Sequence, residues 1–146
     1  MPTVFDKLNL KDQREILVIN APASFEPAVQ ALEGVHVLRE ARDAKVVHFA
    51  LAFATTQAEV DTLARSLVKK AAGDVILWFA YPKGSSKKYQ CAFNRDTGWD
   101  TLRSLGFDTV RAVAIDEDWS ALRFRRVEFI GSSGKSPTVK AKTKGS

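Results

Sequence analysis

The sequence predicts an α/β protein: a three-layer sandwich with a mostly parallel six-stranded sheet that ends in an antiparallel hairpin. Three observations lead to this prediction. Short apolar runs alternate with amphipathic segments along the chain. The runs at 46–53 and 75–81 are apolar at almost every position, which is typical of strands covered on both faces. The final two strands are separated only by residues 116–118, a connection too short for a parallel crossover.

Apolar runs predict six strands, and local signals predict the first two helices. The strands are predicted at 16–20, 35–38, 46–53, 75–81, 109–115 and 119–130. A weak helix is expected within residues 1–12, where Phe5 and Leu8 would cover the sheet. Ser24 is placed to cap the first crossover helix, and Gly34 is placed to end it.

The second crossover helix has the clearest signals in the chain. Thr56 and Glu59 have the spacing of a capping box. Apolar residues then recur with a helical period, at Val60, Leu63, Ala64, Leu67, Val68 and Ala71. Gly73 is predicted to end this helix.

A further helix is predicted to begin at Asp96 and to end at Gly106. It would turn Trp99, Leu102 and Leu105 inward. In the last strand, the apolar alternation changes phase after Phe124. We therefore predict a β-bulge or a strong twist at Arg125 and Arg126.

The positive charge is unevenly distributed along the chain. The 146 residues hold 22 Lys and Arg against 17 Asp and Glu, a net charge of +5. Four of the basic residues are lysines in 131–146, which has no acid, so 1–130 holds 18 basic against 17 acidic residues. These features predict one near-neutral domain at 1–130 and a disordered basic tail at 131–146.

Composition also excludes several classes of protein. A single cysteine, Cys91, excludes a disulfide framework and a cysteine-rich zinc site. Neither His36 nor His48 has a metal-ligand spacing, so no metal is expected. The N-terminus lacks the apolar region of an export signal, and the most apolar stretch is too short to span a bilayer. A cytoplasmic location and no membrane partner are therefore expected.

The carboxyl ends of the predicted strands form the candidate binding site, because open α/β sheets bind ligands at this edge. The loop after the fourth strand carries four cationic side chains that would contact a phosphate or a carboxylate. The alternative is a mobile polar surface loop. No residue is assigned a catalytic role. The candidate ligand-binding residues are Asn20, Ser24, Thr55, Tyr81, Lys83, Lys87, Lys88, Arg95 and Trp99.

A parallel sheet that ends in an antiparallel hairpin is the outline of the Rossmann-like methyltransferase fold. Enzymes of this kind need a glycine-rich turn after the first strand and an acid after the second. The turn at 20–24 contains no glycine, and Pro22 lacks an N–H group. Arg39 stands where the acid is expected, and Glu40 would serve only with a shift of register. We therefore expect no cofactor.

Three stretches together resemble a family of short bacterial proteins that is catalogued as a domain of unknown function. They are the Asn-Ala-Pro element at 20–22, the Trp-x-x-x-Pro-Lys element at 78–83 and the Asp-x-x-Trp-Ser-x-Leu element at 116–122. The resemblance covers roughly residues 5–130. It implies a small, cytoplasmic Rossmann-like domain and no known activity or catalytic residue.

These observations favour a non-enzymatic domain that binds a small anionic ligand or a protein partner. A divergent methyltransferase or other nucleotide-using enzyme is the first alternative. Weak association with nucleic acid, through the basic tail and the pair Lys87 and Lys88, is the second. The sequence does not indicate an oligomeric state.

Overall fold

The computed structural model describes residues 3–87 and 97–130. Its strands are β1 (Glu15–Ile19), β2 (His36–Leu38), β3 (Val47–Phe53), β4 (Ala71–Pro82), β5 (Phe107–Ala114) and β6 (Trp119–Arg126). They form one sheet in the order β2-β1-β3-β4-β6-β5. The first four strands are parallel, and β6 is antiparallel to both β4 and β5. The predicted fold class is confirmed.

Helices cover both faces of this sheet. The α-helices are α1 (Val4–Lys7), α2 (Glu26–Gln30), α3 (Gln57–Lys70) and α4 (Asp100–Ser104), and 3-10 turns occupy Ala23–Phe25, Ala41–Asp43 and Val127–Phe129. Side chains of α1 and α2 pack against one face, and those of α3 and α4 against the other. Among the described residues, no helix is both long and apolar enough to cross a membrane.

Helix α3 begins where the sequence predicts. The Thr56 hydroxyl accepts from the Glu59 N–H at 3.2 Å, and the Glu59 carboxylate accepts from the Thr56 N–H at 3.2 Å. The expected end at Gly73 is wrong, because the backbone is already extended at Ala71. The Arg126 guanidinium donates to the carbonyls of Ala71 and Gly73, which holds this segment as the start of β4.

The first crossover differs from the prediction. Ser24 caps no helix, because it lies inside a 3-10 turn whose first bond runs from the Phe25 N–H to the Pro22 carbonyl. Helix α2 starts without a side-chain cap and has Pro27 in its first turn, where the missing N–H costs nothing. It ends at Gln30, four residues before Gly34.

The third crossover is only partly as predicted. Its expected start, Asp96, lies outside the described residues. Trp99 and Leu102 are buried as expected, but Leu105 is 36% exposed. The helix ends at Ser104, and Gly106 adopts a φ of +93°, so Leu105 does not reach the core.

The irregularity of the hairpin lies on the opposite strand from the predicted one. Strand β6 ends at Arg126 and continues as a 3-10 turn, which explains the change of apolar phase. The register shift falls in β5, between Thr109 and Arg111. Val110 is the extra residue, and its side chain is 41% exposed.

The N-terminal helix is short but well anchored. Thr3 and Asp6 form a capping box at its start. Phe5 and Leu8 are buried against the sheet, as predicted. The indole Nε1 of Trp78, in the middle of β4, donates to the Leu8 carbonyl at 2.7 Å.

Trp78→Phe should lower the free energy of unfolding by about 1–3 kcal/mol, because it leaves the buried Leu8 carbonyl without a donor. Urea denaturation measures this loss. Trypsin should also cut the folded variant faster at Lys7 and Lys11. Phe79→Leu, which changes the opposite face, is the control and should leave this cleavage unchanged. Unfolding within 0.5 kcal/mol of the wild type, on the order of a neutral surface substitution, would contradict the anchoring role.

Candidate functional site

The strand order places a topological switch point between β1 and β3. The connection after β1 leads outward to β2, whereas the connection after β3 leads to β4 on the other side. The two crossovers therefore separate above neighbouring strands and leave a crevice at their carboxyl ends. Ligands of open α/β sheets bind at such a crevice.

Asn20 forms the floor of this crevice. It follows β1 directly and has a φ of +60°, a left-handed conformation that asparagine tolerates better than most residues. Its side-chain Nδ2 donates to the Phe53 carbonyl at the end of β3, at 3.4 Å. The residue thus turns the chain away from the sheet and links the ends of the two strands.

A pocket of about 310 Å³ opens above Asn20, against the first two turns of α3. This volume is at the lower end of the range for small-molecule sites. The pocket has an amide, a carboxylate and a hydroxyl among apolar groups. Its lining residues are Asn20, Ala58, Glu59, Thr62 and Leu63.

Glu59 gives the pocket its charge. Its Oε1 accepts from the Thr55 N–H at 2.8 Å, from the Thr55 hydroxyl at 3.2 Å and from the Thr56 N–H at 3.2 Å. The Thr55 N–H is the main cause of a lowered pKa for this carboxyl, and burial opposes it only in part. Glu59 is therefore ionised at neutral pH. The sequence showed its capping role but not its place in the pocket.

The residues that the sequence proposed for the site are only partly brought together. Asn20 lines the pocket, and Thr55 holds the Glu59 carboxylate beside it. Ser24 is exposed on the 3-10 turn after β1 and does not line the pocket. Tyr81 and Trp99 are buried in the core, with ring centroids 5.8 Å apart. They therefore pack under the end of β4 and do not line the pocket.

Residues 83–87, the described part of the lysine loop that follows β4, contact the acidic turn of the hairpin at 116–118. The Lys83 N–H donates to the Asp118 carbonyl at 2.8 Å, and the Ser86 hydroxyl donates to the Asp118 carboxylate at 3.0 Å. Lys87 is exposed, whereas Lys88 and Arg95 lie outside the described residues. The carboxylates at 116–118 partly offset the positive charge of this loop.

The end of β2 is already occupied by protein contacts. Arg39 forms a two-pronged ion pair with Glu26 of α2, at 2.7 and 2.8 Å. Glu40 pairs with Arg42 at 3.1 Å. With Pro22 in the turn after β1, these residues do not fit the pattern in which glycines cradle a cofactor and a free acid holds its ribose.

The opposite edge of the sheet has a larger but less suitable depression. It measures about 460 Å³ and lies at the amino ends of β1 and β3, lined by Asp12, Gln13, Arg14, Glu15, Val46 and His48. Acids and bases alternate along it, so it presents no single charge. No group of three metal-binding side chains occurs within residues 3–87 and 97–130.

No protein-family model matches this chain, and no curated protein matches it. A SAM-dependent methyltransferase from Aquifex aeolicus has a similar structure, with a TM-score of 0.59 and 13% identity over 84% of this chain and 87% of that one.

Two further solved structures are similar. The protein LepI, in a complex with SAM, gives a TM-score of 0.53 and 8% identity over 84% of this chain and 39% of its own. A protein from Bordetella parapertussis described as possibly exported gives 0.53 and 10% identity over 78% and 62%. At these identities the likeness shows the fold, which is that of Rossmann-like methyltransferases.

Asn20→Ala should destabilise the protein by about 1 kcal/mol. Alanine is strained at positive φ, because it has a Cβ but lacks the polar side-chain group with which asparagine bonds locally. Asn20→Gly should cost less, since glycine adopts this conformation freely. The same pair of changes at Asn9, whose φ is 69°, is the control for backbone strain. Chemical denaturation measures all four variants. Equal stability of the two Asn20 variants would contradict this account.

Acid should weaken the protein partly through Glu59. A lowered pKa in the folded state gives stability that is present above the unfolded-state pKa, about 4.3 for glutamate, and is lost as the pH falls through the folded-state pKa. Glu59→Gln should therefore flatten the fall in unfolding free energy between neutral pH and acid. Parallel curves for the variant and the wild type would contradict this prediction.

Proposed function

We propose that the protein is a small-molecule-binding domain of methyltransferase-like fold, and that the pocket at the switch point is its binding site. The pocket between Asn20 and α3 carries this proposal. It lies where folds of this class bind ligands, and it combines apolar walls with three different polar groups. Its volume suits a ligand of about nucleoside size.

The charge of the pocket selects the class of ligand. Glu59 is held ionised by backbone and hydroxyl donors, so an anion would be repelled at this wall. A neutral or cationic ligand that donates hydrogen bonds is favoured instead. This class differs from the small anion that the lysine loop suggests, and the two can be separated by experiment.

Adenosyl compounds are the first ligands to test. Two similar structures are described as SAM-dependent or as a complex with SAM, and the sulfonium of that compound is positively charged. Methyl transfer itself is a second candidate function. The residues at 20–24 and the paired Arg39 do not fit the cofactor pattern of such enzymes, so we assign no transfer step.

Thermal-shift and calorimetric titrations test the proposal. Adenosine, S-adenosylmethionine and S-adenosylhomocysteine should stabilise the protein, by about 2.7 kcal/mol at a concentration one hundred times the dissociation constant. Inorganic phosphate and acetyl phosphate should not. Stabilisation by phosphate alone, lost in Lys83→Ala, would replace the proposal with the anion site. Stabilisation by none of these ligands would overturn it for adenosyl compounds.

A pair of tryptophan variants on α3 locates the site. Thr62→Trp should fill the pocket and abolish the stabilisation by adenosyl compounds. Arg65→Trp, on an exposed position of the same helix outside the pocket, should retain it. Binding that survives Thr62→Trp would place the ligand elsewhere.

A further inference from the structure

One oxygen of the Glu59 carboxylate is committed to the protein, and the other is not. Oε1 accepts from the Thr55 N–H, the Thr55 hydroxyl and the Thr56 N–H. Oε2 has no donor among residues 3–87 and 97–130. Both oxygens of an ionised carboxylate accept hydrogen bonds, and Glu59 lines the pocket. The cap therefore fixes the carboxylate in place and leaves one oxygen for a ligand.

The charge of this carboxylate is not neutralised by a side chain of the described residues. No lysine or arginine within 3–87 and 97–130 forms an ion pair with Glu59. The start of α3 offsets part of the charge, since a helix N-terminus carries roughly half a positive charge. The other lining residues in the described part of the chain are uncharged. The pocket therefore keeps a net negative charge and attracts a cationic group.

The remaining polar groups of the pocket add further acceptors. The Nδ2 of Asn20 donates to the Phe53 carbonyl, which leaves the Oδ1 of Asn20 without a partner among the described residues. The Thr62 hydroxyl can also accept, and it has no partner in the same ranges. Acceptors thus outnumber donors here, so a complementary ligand carries several hydrogens on nitrogen or oxygen.

The lining of the pocket also selects the kind of cation. A hard metal ion needs about six oxygen ligands, whereas Ala58 and Leu63 give this pocket apolar walls. A quaternary ammonium has no N–H to donate and is typically held by aromatic rings. No aromatic residue within 3–87 and 97–130 lines the pocket. A protonated amine on an apolar body fits both the free acceptors and the walls.

We propose that the pocket binds a protonated primary amine, whose ammonium group donates to the Oε2 of Glu59 and whose apolar body lies against Ala58 and Leu63. This inference rests on the proposed binding function of the pocket and names its ligand class. Amino-nucleosides and aromatic ethylamines belong to that class. Because a charge-assisted hydrogen bond is stronger than a neutral one, Glu59 determines the specificity of the pocket.

Calorimetric titration of matched amines and alcohols at neutral pH tests the proposal. 5′-Amino-5′-deoxyadenosine should bind about tenfold more tightly than adenosine, and phenethylamine about tenfold more tightly than phenethyl alcohol, because a charged hydrogen bond replaces a neutral one. Phenethyltrimethylammonium should bind more weakly than phenethylamine, since it has the charge but no N–H. These comparisons use the wild-type chain and do not depend on a variant that folds.

A pair of variants on α3 assigns the preference to one carboxylate. Glu59→Gln removes the charge and keeps an oxygen for the cap, so it should fold and should abolish the preference for amines. Asp61→Asn is the control, because it removes the same charge from the same helix. Asp61 accepts from Gln57 and does not line the pocket, so this variant should keep the preference.

The outcomes separate the ligand class from the site. Equal affinity for amine and alcohol, with both lost in Thr62→Trp, would overturn the amine inference and leave the pocket as the binding site. A preference that persists in Glu59→Gln, or a trimethylated compound that binds as well as phenethylamine, would also overturn the inference. Binding of no compound in either series, or binding that survives Thr62→Trp, would overturn the pocket as well.

Discussion

The central strands β3 and β4 are buried on both faces. This constraint determines where the helices pack and where polar side chains can lie. Phe49, Leu51 and Phe53 face α1 and α2, while the alternating alanines at 50 and 52 face α3. Because successive side chains of a strand point to opposite sides, each face needs its own cover. Short helices supply that cover, and polar groups are confined to the strand ends, the helix surfaces and the terminal hairpin.

One carboxylate links the start of a helix to the charge of the pocket. Glu59 accepts the backbone N–H groups that would otherwise lack partners at the start of α3, and the same side chain lines the switch-point crevice. A change at this residue therefore alters both the stability of the helix and the kind of ligand the pocket can accept. The site is negative because the helix that forms its wall needs this cap.

The sequence contained enough information for the fold class, the antiparallel pairing of the final hairpin and the start of α3, because apolar runs, a short connection and a capping box are local signals. It was misleading at Ser24 and Gly73, where a 3-10 turn and the Arg126 contacts with the start of β4 decide the backbone. The cross-strand pair of Arg111 and Arg123 depends on register, which no local pattern specifies. Of the proposed site residues within 3–87 and 97–130, only Asn20 lines the pocket.

The extra residue in β5 also bears on how molecules of this protein meet one another. Strand β5 is the last in the sheet order, so its outer side has no neighbouring strand among residues 3–87 and 97–130. The bulge at Val110 interrupts the regular spacing of those groups halfway along the strand. A second β5 would meet an interrupted ladder along this edge. An irregular edge strand of this kind disfavours edge-to-edge growth into larger sheets.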